Sequence, residues 1–197
     1  MADTGAPWNI PYVESTDLVR DYPTDSLALA NAIDAGLDAA GNAGIGSNLV
    51  QTVLAGTFTT SSTSFTPVTG LDVSITPSSA TSKVLIVAVV NVSAAAANNI
   101  FFQLQRDTTD LIAPTSPGSR RSAWASVMYN FTGVGSAFLP QTVVYLDSPA
   151  TTSATTYSID VAVESATAIY INRSTDDTDN STFARGVSTI TAIEVAA

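Results

Sequence analysis

The chain has 197 residues and a formal net charge of −10, from 17 acidic and 7 basic side chains, so a nucleic-acid backbone, which needs clustered Lys and Arg, is excluded as a partner. Cysteine and histidine are both absent, which rules out disulfides, zinc sites built on those ligands and histidine-based catalysis. Hydrophobic residues make up 45%, too many for a disordered chain, yet no apolar run reaches the roughly 18 residues of a membrane span.

Residues 1–22 come first. The stretch GAPWNIPYVESTDLVRDYP places Pro7, Pro11 and Pro23 around Trp8, Tyr12 and Tyr22. Prolines this close together forbid a long helix and favour an extended arm. Aromatic side chains on such an arm are costly to leave in water, so Trp8, Ile10, Tyr12 and Tyr22 are expected to anchor it on a partner. The alternative is an arm strapped over its own domain or a neighbouring copy. Seven of the acidic residues lie in the first forty positions, a charge that either meets a basic partner or keeps this end soluble.

Residues 23–48 are expected to form a helix and a hinge. Ser26, Leu29, Ala30, Ile33, Leu37, Ala40 and Gly44 fall on one side of a helical wheel, with Asn31, Asp34, Asp38 and Asn42 on the other. Pro23 suits a first turn, and Gly41 with Gly44 suits the stop. Such a helix is marginal alone, and its small side chains let identical helices approach closely. Leu29, Ile33 and Leu37 are therefore expected at an interface between copies; the alternative is an amphipathic helix lying on its own β domain.

Residues 6–40, APWNIPYVESTDLVRDYPTDSLALANAIDAGLDAA, resemble the N-terminal segment of tail-fibre proteins of tailed bacteriophages. The resemblance covers about a fifth of the chain. It implies an arm that attaches to the virion, a trimerising helix and a variable distal head.

From residue 49 onward Val, Ile, Thr and aromatic residues dominate, with turn clusters about every ten residues. Strands are predicted near 51–59, 72–76, 83–93, 100–106, 123–131, 141–146, 156–164, 168–172 and 187–195. No crossover helix separates them, so the predicted fold is mainly β: an extended arm and a short α-helix, then an antiparallel, jelly-roll-like β-sandwich head at 49–197. Tyr157, Ile159, Val161 and Val163 alternate with polar neighbours, giving one dry face and one wet. Lys83–Val92 differs, because Leu85, Val87 and Val89 are apolar as well as Val84, Ile86, Ala88 and Val90. In a sandwich without covering helices, a strand dry on both faces points to an interface, so Leu85, Val87 and Val89 join the expected homo-oligomer contacts.

Three loops are candidate binding surfaces: 107–121, 132–140 and 174–185. Arg120 and Arg121 form the only adjacent basic pair and suit forked hydrogen bonds to an anionic surface sugar, with ordinary salt bridges as the alternative. Trp124 and Tyr129 lie just beyond, as sugar-stacking rings or, since a strand is predicted there, as core. Asp160 and Glu164 share a strand face about 13 Å apart, too far for a glycosidase pair. Asp176, Asp177 and Asp179 are the densest acidic cluster, but they lack the glycine and closing glutamate of a calcium loop and read as a solvated turn.

The sequence therefore predicts a non-enzymatic structural protein of a phage particle, without cofactor or metal and without membrane insertion. It is expected to be a homotrimeric short tail fibre that docks on other virion proteins through residues 1–22 and meets a host surface glycan or protein through its head. A capsid-decorating or baseplate protein of the same build and an envelope-polysaccharide depolymerase are the alternatives.

Overall fold

The computed structural model describes residues 2–3, 11–12, 22–42, 45–115, 118–129 and 135–196, with side chains at 26–36 and, within those ranges, at 48–128 and 135–196. Two short strands, β1 (Ala2–Asp3) and β2 (Pro11–Tyr12), pair antiparallel with Ala2 opposite Tyr12. Pro11 is tolerated there because a two-stranded ladder has only edges. The helix α1 (Tyr22–Asn42) has Pro23 in its first turn, where a missing N–H leaves no bond unmade, and β2 lies beside it.

The head is a sandwich of two antiparallel sheets. Its strands are β3 (Ile45–Leu54), β4 (Phe58–Thr60), β5 (Thr66–Ile75), β6 (Lys83–Ala94), β7 (Asn98–Arg106), β8 (Thr109–Asp110), β9 (Ala125–Tyr129), β10 (Leu139–Asp147), β11 (Thr155–Val163), β12 (Ile169–Ile171) and β13 (Ser188–Val195). The first sheet runs β3–β13–β6–β10, with β12 and β4 continuing it beyond the end of β13. The second runs β5–β11–β7–β9, with β8 beside the far end of β7. Among the eight long strands this order takes the first, eighth, third and sixth into one sheet and the second, seventh, fourth and fifth into the other. Neighbours in space are therefore mostly distant in sequence, in the jelly-roll-like manner expected.

Period-two alternation builds the core between the sheets. Val84, Ile86, Ala88, Val90 and Val92 of β6 face Ile100, Phe102 and Leu104 of β7 and Tyr157, Ile159, Val161 and Val163 of β11, all with no exposed surface. The predicted dry face of β11 is thus the core face. Ile190 and Ala192 of β13 join it.

Boundaries depart from expectation at three places. The single strand expected at 51–59 is two, β3 and β4; the break between them is held by Asn172, whose amide donates to the carbonyls of Leu54 at 2.6 Å and Gly56 at 2.9 Å. β3 starts at Ile45, so the residues expected as hinge, 45–48, belong to the sheet. β5 starts at Thr66 instead of near residue 72, because Gly70, at φ +82°, lets the chain pass through a bulge opposite β11 and still pair on both sides of it.

Two buried carboxylates pin the layers together. Asp147, at the end of β10, accepts hydrogen bonds from Arg106 Nη1 at 2.8 and 3.0 Å and from the Tyr157 hydroxyl at 2.8 Å, so it ties the first sheet to two strands of the second. Burial and this carboxylate push the Tyr157 hydroxyl far above its ordinary range. Glu194, fully enclosed on β13, accepts from the backbone N–H of Ser78 at 2.8 Å, the Ser78 hydroxyl at 2.5 Å and the Asn48 amide at 3.2 Å. Burial raises its pKa, but these donors, with the Ser82 hydroxyl beside them, outweigh burial and hold it at about 2.

Candidate functional site

The two outer faces of the sandwich carry different chemistry. On the first sheet, pairing registers place side chains in rows: Leu146, Leu85, Ile193 and Leu49; Val144, Val87, Thr191 and Gln51; Thr142, Val89, Thr189 and Val53. Residues directly opposite in antiparallel strands share a face, so these twelve form one patch, and none of them is charged. Leu49, Val53, Val144 and Leu146 are 56, 52, 64 and 46% exposed. Leu85, Val87 and Val89, at its centre, are half-buried. The dryness of β6 on both sides is thus a buried inner face and an open outer one.

The second sheet's outer face is polar and partly roofed. Gln103 donates to Asp110 at 3.1 Å and to the Ser122 carbonyl at 2.9 Å, while the Ser122 hydroxyl donates to Asp110 at 3.0 Å. These bonds draw the loop after β7 back across the sheet. Asp160, beneath it, has its carboxyl pushed up by burial and by the nearby negative Asp110, against a 3.4 Å hydrogen bond from Ser158.

Beside this roof lies an open groove of about 560 Å³ whose lining includes Asn99, Phe101, Arg120, Arg121, Trp124 and Glu164. The consecutive phenylalanines of β7 divide between the faces: Phe102 is in the core, 5.5 Å from the Trp124 ring, and Phe101 is on the outside. The Arg121 guanidinium sits 5.0 Å from the Phe101 ring centre and donates to the Thr63 carbonyl, which fixes it in place. Opposite, the Asn99 amide donates to Glu164 at 2.5 Å. Trp124 is half-buried just before β9, and its indole N–H, closed off from solvent, has no acceptor among the described residues.

Arg120, Arg121 and Trp124 line one groove together with Asn99, Phe101 and Glu164, and the Trp124 ring packs against Phe102 of the core. The signal for Asn99, Phe101 and Glu164 is the FF pair on β7, which must put one ring outside, and the register Asn99–Met128 and Phe101–Ser126 with β9. The Tyr129 side chain lies outside the described residues.

The other loops do something different. Residues 174–185 meet the loop before β10 where Asp176 N–H donates to the Gly135 carbonyl at 3.0 Å. Here Asp177 accepts two bonds from Arg185, at 2.7 and 3.0 Å, which lowers its pKa, and Asp176 is lowered by the hydroxyl and backbone N–H of Thr178. The acidic cluster is thus engaged within its own loop, and no group of three acidic side chains is placed to hold a metal ion among the described residues. A shallow pocket of about 380 Å³ between Asp177 and Arg185 is lined by the same loop.

Of the expected anchoring residues, Trp8 and Ile10 lie outside the described residues, and Tyr12 and Tyr22 are placed only as backbone, in β2 and at the start of α1. On the helix, Leu29 is half-buried while Leu27 and Ile33 are 62 and 43% exposed; the Leu37 side chain lies outside the described residues. No helix among the described residues is long and apolar enough to cross a membrane. No protein-family model matches the chain, and no curated protein matches it.

Proposed function

We propose that the chain is a structural protein of a phage particle: a short tail fibre that docks through residues 1–22, assembles as a homotrimer and recognises the host surface through its β head. The observation that carries this reading is the uncharged apolar patch on the first sheet, left open in a single copy. In a chain of net charge −10, a surface free of charge is where identical copies meet with least repulsion. Four strands about 4.8 Å apart and five residues long span roughly 300 Å², well under half of the ~800 Å² per partner of a standard interface. The patch alone therefore makes a weak contact, and Ile33 on α1, 43% exposed, supplies a further apolar contact. The resemblance of residues 6–40 to tail-fibre N-termini supports placement on a virion. Three heads on one fibre would bind a cell surface by multivalency, each single site remaining weak.

An antibody against the head, applied to purified particles, tests the reading. Label at the tail is expected, with a trimer mass by light scattering. Label spread over the capsid shell would favour the decorating protein instead, and a monomer at micromolar concentration would end the trimer.

A further inference from the structure

We infer that the groove at Phe101 and Arg121 binds a carboxylate-bearing saccharide, an inference that rests on the host-recognition reading and names its ligand class. The groove falls within the 300–1,000 Å³ of small-molecule sites. Its polar groups are of two kinds, and each kind narrows the ligand. Arg120 and Arg121 line the groove, and a guanidinium is the group that grips a carboxylate by paired N–H bonds. Arg121 is held by the Phe101 ring and the Thr63 carbonyl, so little side-chain entropy is lost when it binds.

Glu164 faces the same space with Asn99. A carboxylate can only accept hydrogen bonds, so it calls for donors on the ligand. A bare phosphate at neutral pH or a nucleic-acid backbone offers it charge repulsion. A sugar ring offers hydroxyls, which donate to Glu164 and accept from Asn99, while its own carboxylate sits with the arginines. Phe101 and the half-buried Trp124 supply the apolar part of the lining, against which the C–H face of a pyranose can rest.

The chain has two tryptophans, so W8F in the full-length protein leaves Trp124 as the sole fluorescent reporter within the groove. The probes are digalacturonate, a hyaluronan tetrasaccharide and an alginate trimer, each with its carboxyl-reduced neutral form, and inorganic phosphate; equilibrium dialysis runs in parallel. At least one acidic probe should bind saturably and at least tenfold more tightly than its neutral form. R121K, which keeps the charge but loses the fork, should weaken it by tenfold or more, and R120K by a similar factor. E164Q should weaken the sugar and strengthen phosphate. Equal binding of acidic and neutral forms, displacement by millimolar phosphate, or no binding of any of the three sugars would overturn the ligand class. Tail labelling of particles is indifferent to these titrations, so the host-recognition reading stands or falls separately.

Discussion

The two outer faces of the sandwich are built from the same strand alternation and end in opposite chemistry. One is an uncharged patch of Leu, Val, Ile and Thr with a single Gln, Gln51, which donates to Thr191 at 2.8 Å. The other carries Asp110, Asp160, Gln103 and Ser122 under a folded-back loop and opens into a groove lined by arginine, glutamate and aromatic rings. The difference teaches where recognition and self-association separate. An apolar sheet face offers area but few directional groups, which suits identical copies related by symmetry. A roofed polar face offers fixed donors and acceptors, which suits a ligand with its own pattern.

The contrast breaks most visibly at the patch. V144E/L146E places two charges where copies are expected to meet, and burying such side chains contributes about 1.5–3 kcal/mol each. Assembly should weaken by 100-fold or more by analytical ultracentrifugation, with the fold intact because both positions are exposed. M128E is the control on the opposite sheet, where Met128 is 59% exposed, and should leave the mass unchanged.

The next effect tests whether both faces rest on one interior. D147A removes the acceptor of Arg106 and Tyr157 and should destabilise the head by about 3–5 kcal/mol in urea, lowering groove and patch together. E194Q is milder, about 1–3 kcal/mol, since the amide retains part of the acceptor geometry. It also carries a pH signature. With its folded pKa near 2, below the ordinary 4.5, Glu194 contributes stability that is complete above about pH 4.5 and lost as pH falls towards 2. The wild type should lose stability across that window more steeply than E194Q, read from unfolding midpoints at each pH.

A150G sharpens the comparison from the other side, because it touches neither face. Ala150 sits at φ +53°, a conformation that glycine adopts without strain, so the variant should gain about 0.5–1 kcal/mol and leave assembly and sugar binding alone. Smallest of all, millimolar calcium should leave the melting temperature unmoved, since Asp176 and Asp177 are already engaged by Thr178 and Arg185.

Much of the fold was legible from pattern alone. Alternation in Tyr157–Val163 identified the inner face of β11, and Lys83–Val92, apolar on both sides, is the strand central to its sheet. Pro23 and the Ala-rich stripe located α1 within a residue or two. Local chemistry determines such features: side-chain period, proline at a first turn, β-branched runs between turn residues. The pairing of distant segments had no local signal. That Asn172 would hold the gap between β3 and β4, or that Glu194 would be enclosed by Ser78 and Asn48, depends on strands brought together from opposite ends of the chain. The groove shows the same division. Arg120, Arg121 and Trp124 stood out as neighbours in sequence, whereas Asn99, Phe101 and Glu164 joined them only because β7 and β11 lie side by side and the loop after β7 folds over the sheet. Composition and periodicity thus determined which side chains are dry and which are wet, because those properties belong to each residue and its nearest neighbours. Only the tertiary structure decided which of them meet, because antiparallel pairing within each sheet joins residues that the chain itself keeps up to 150 positions apart.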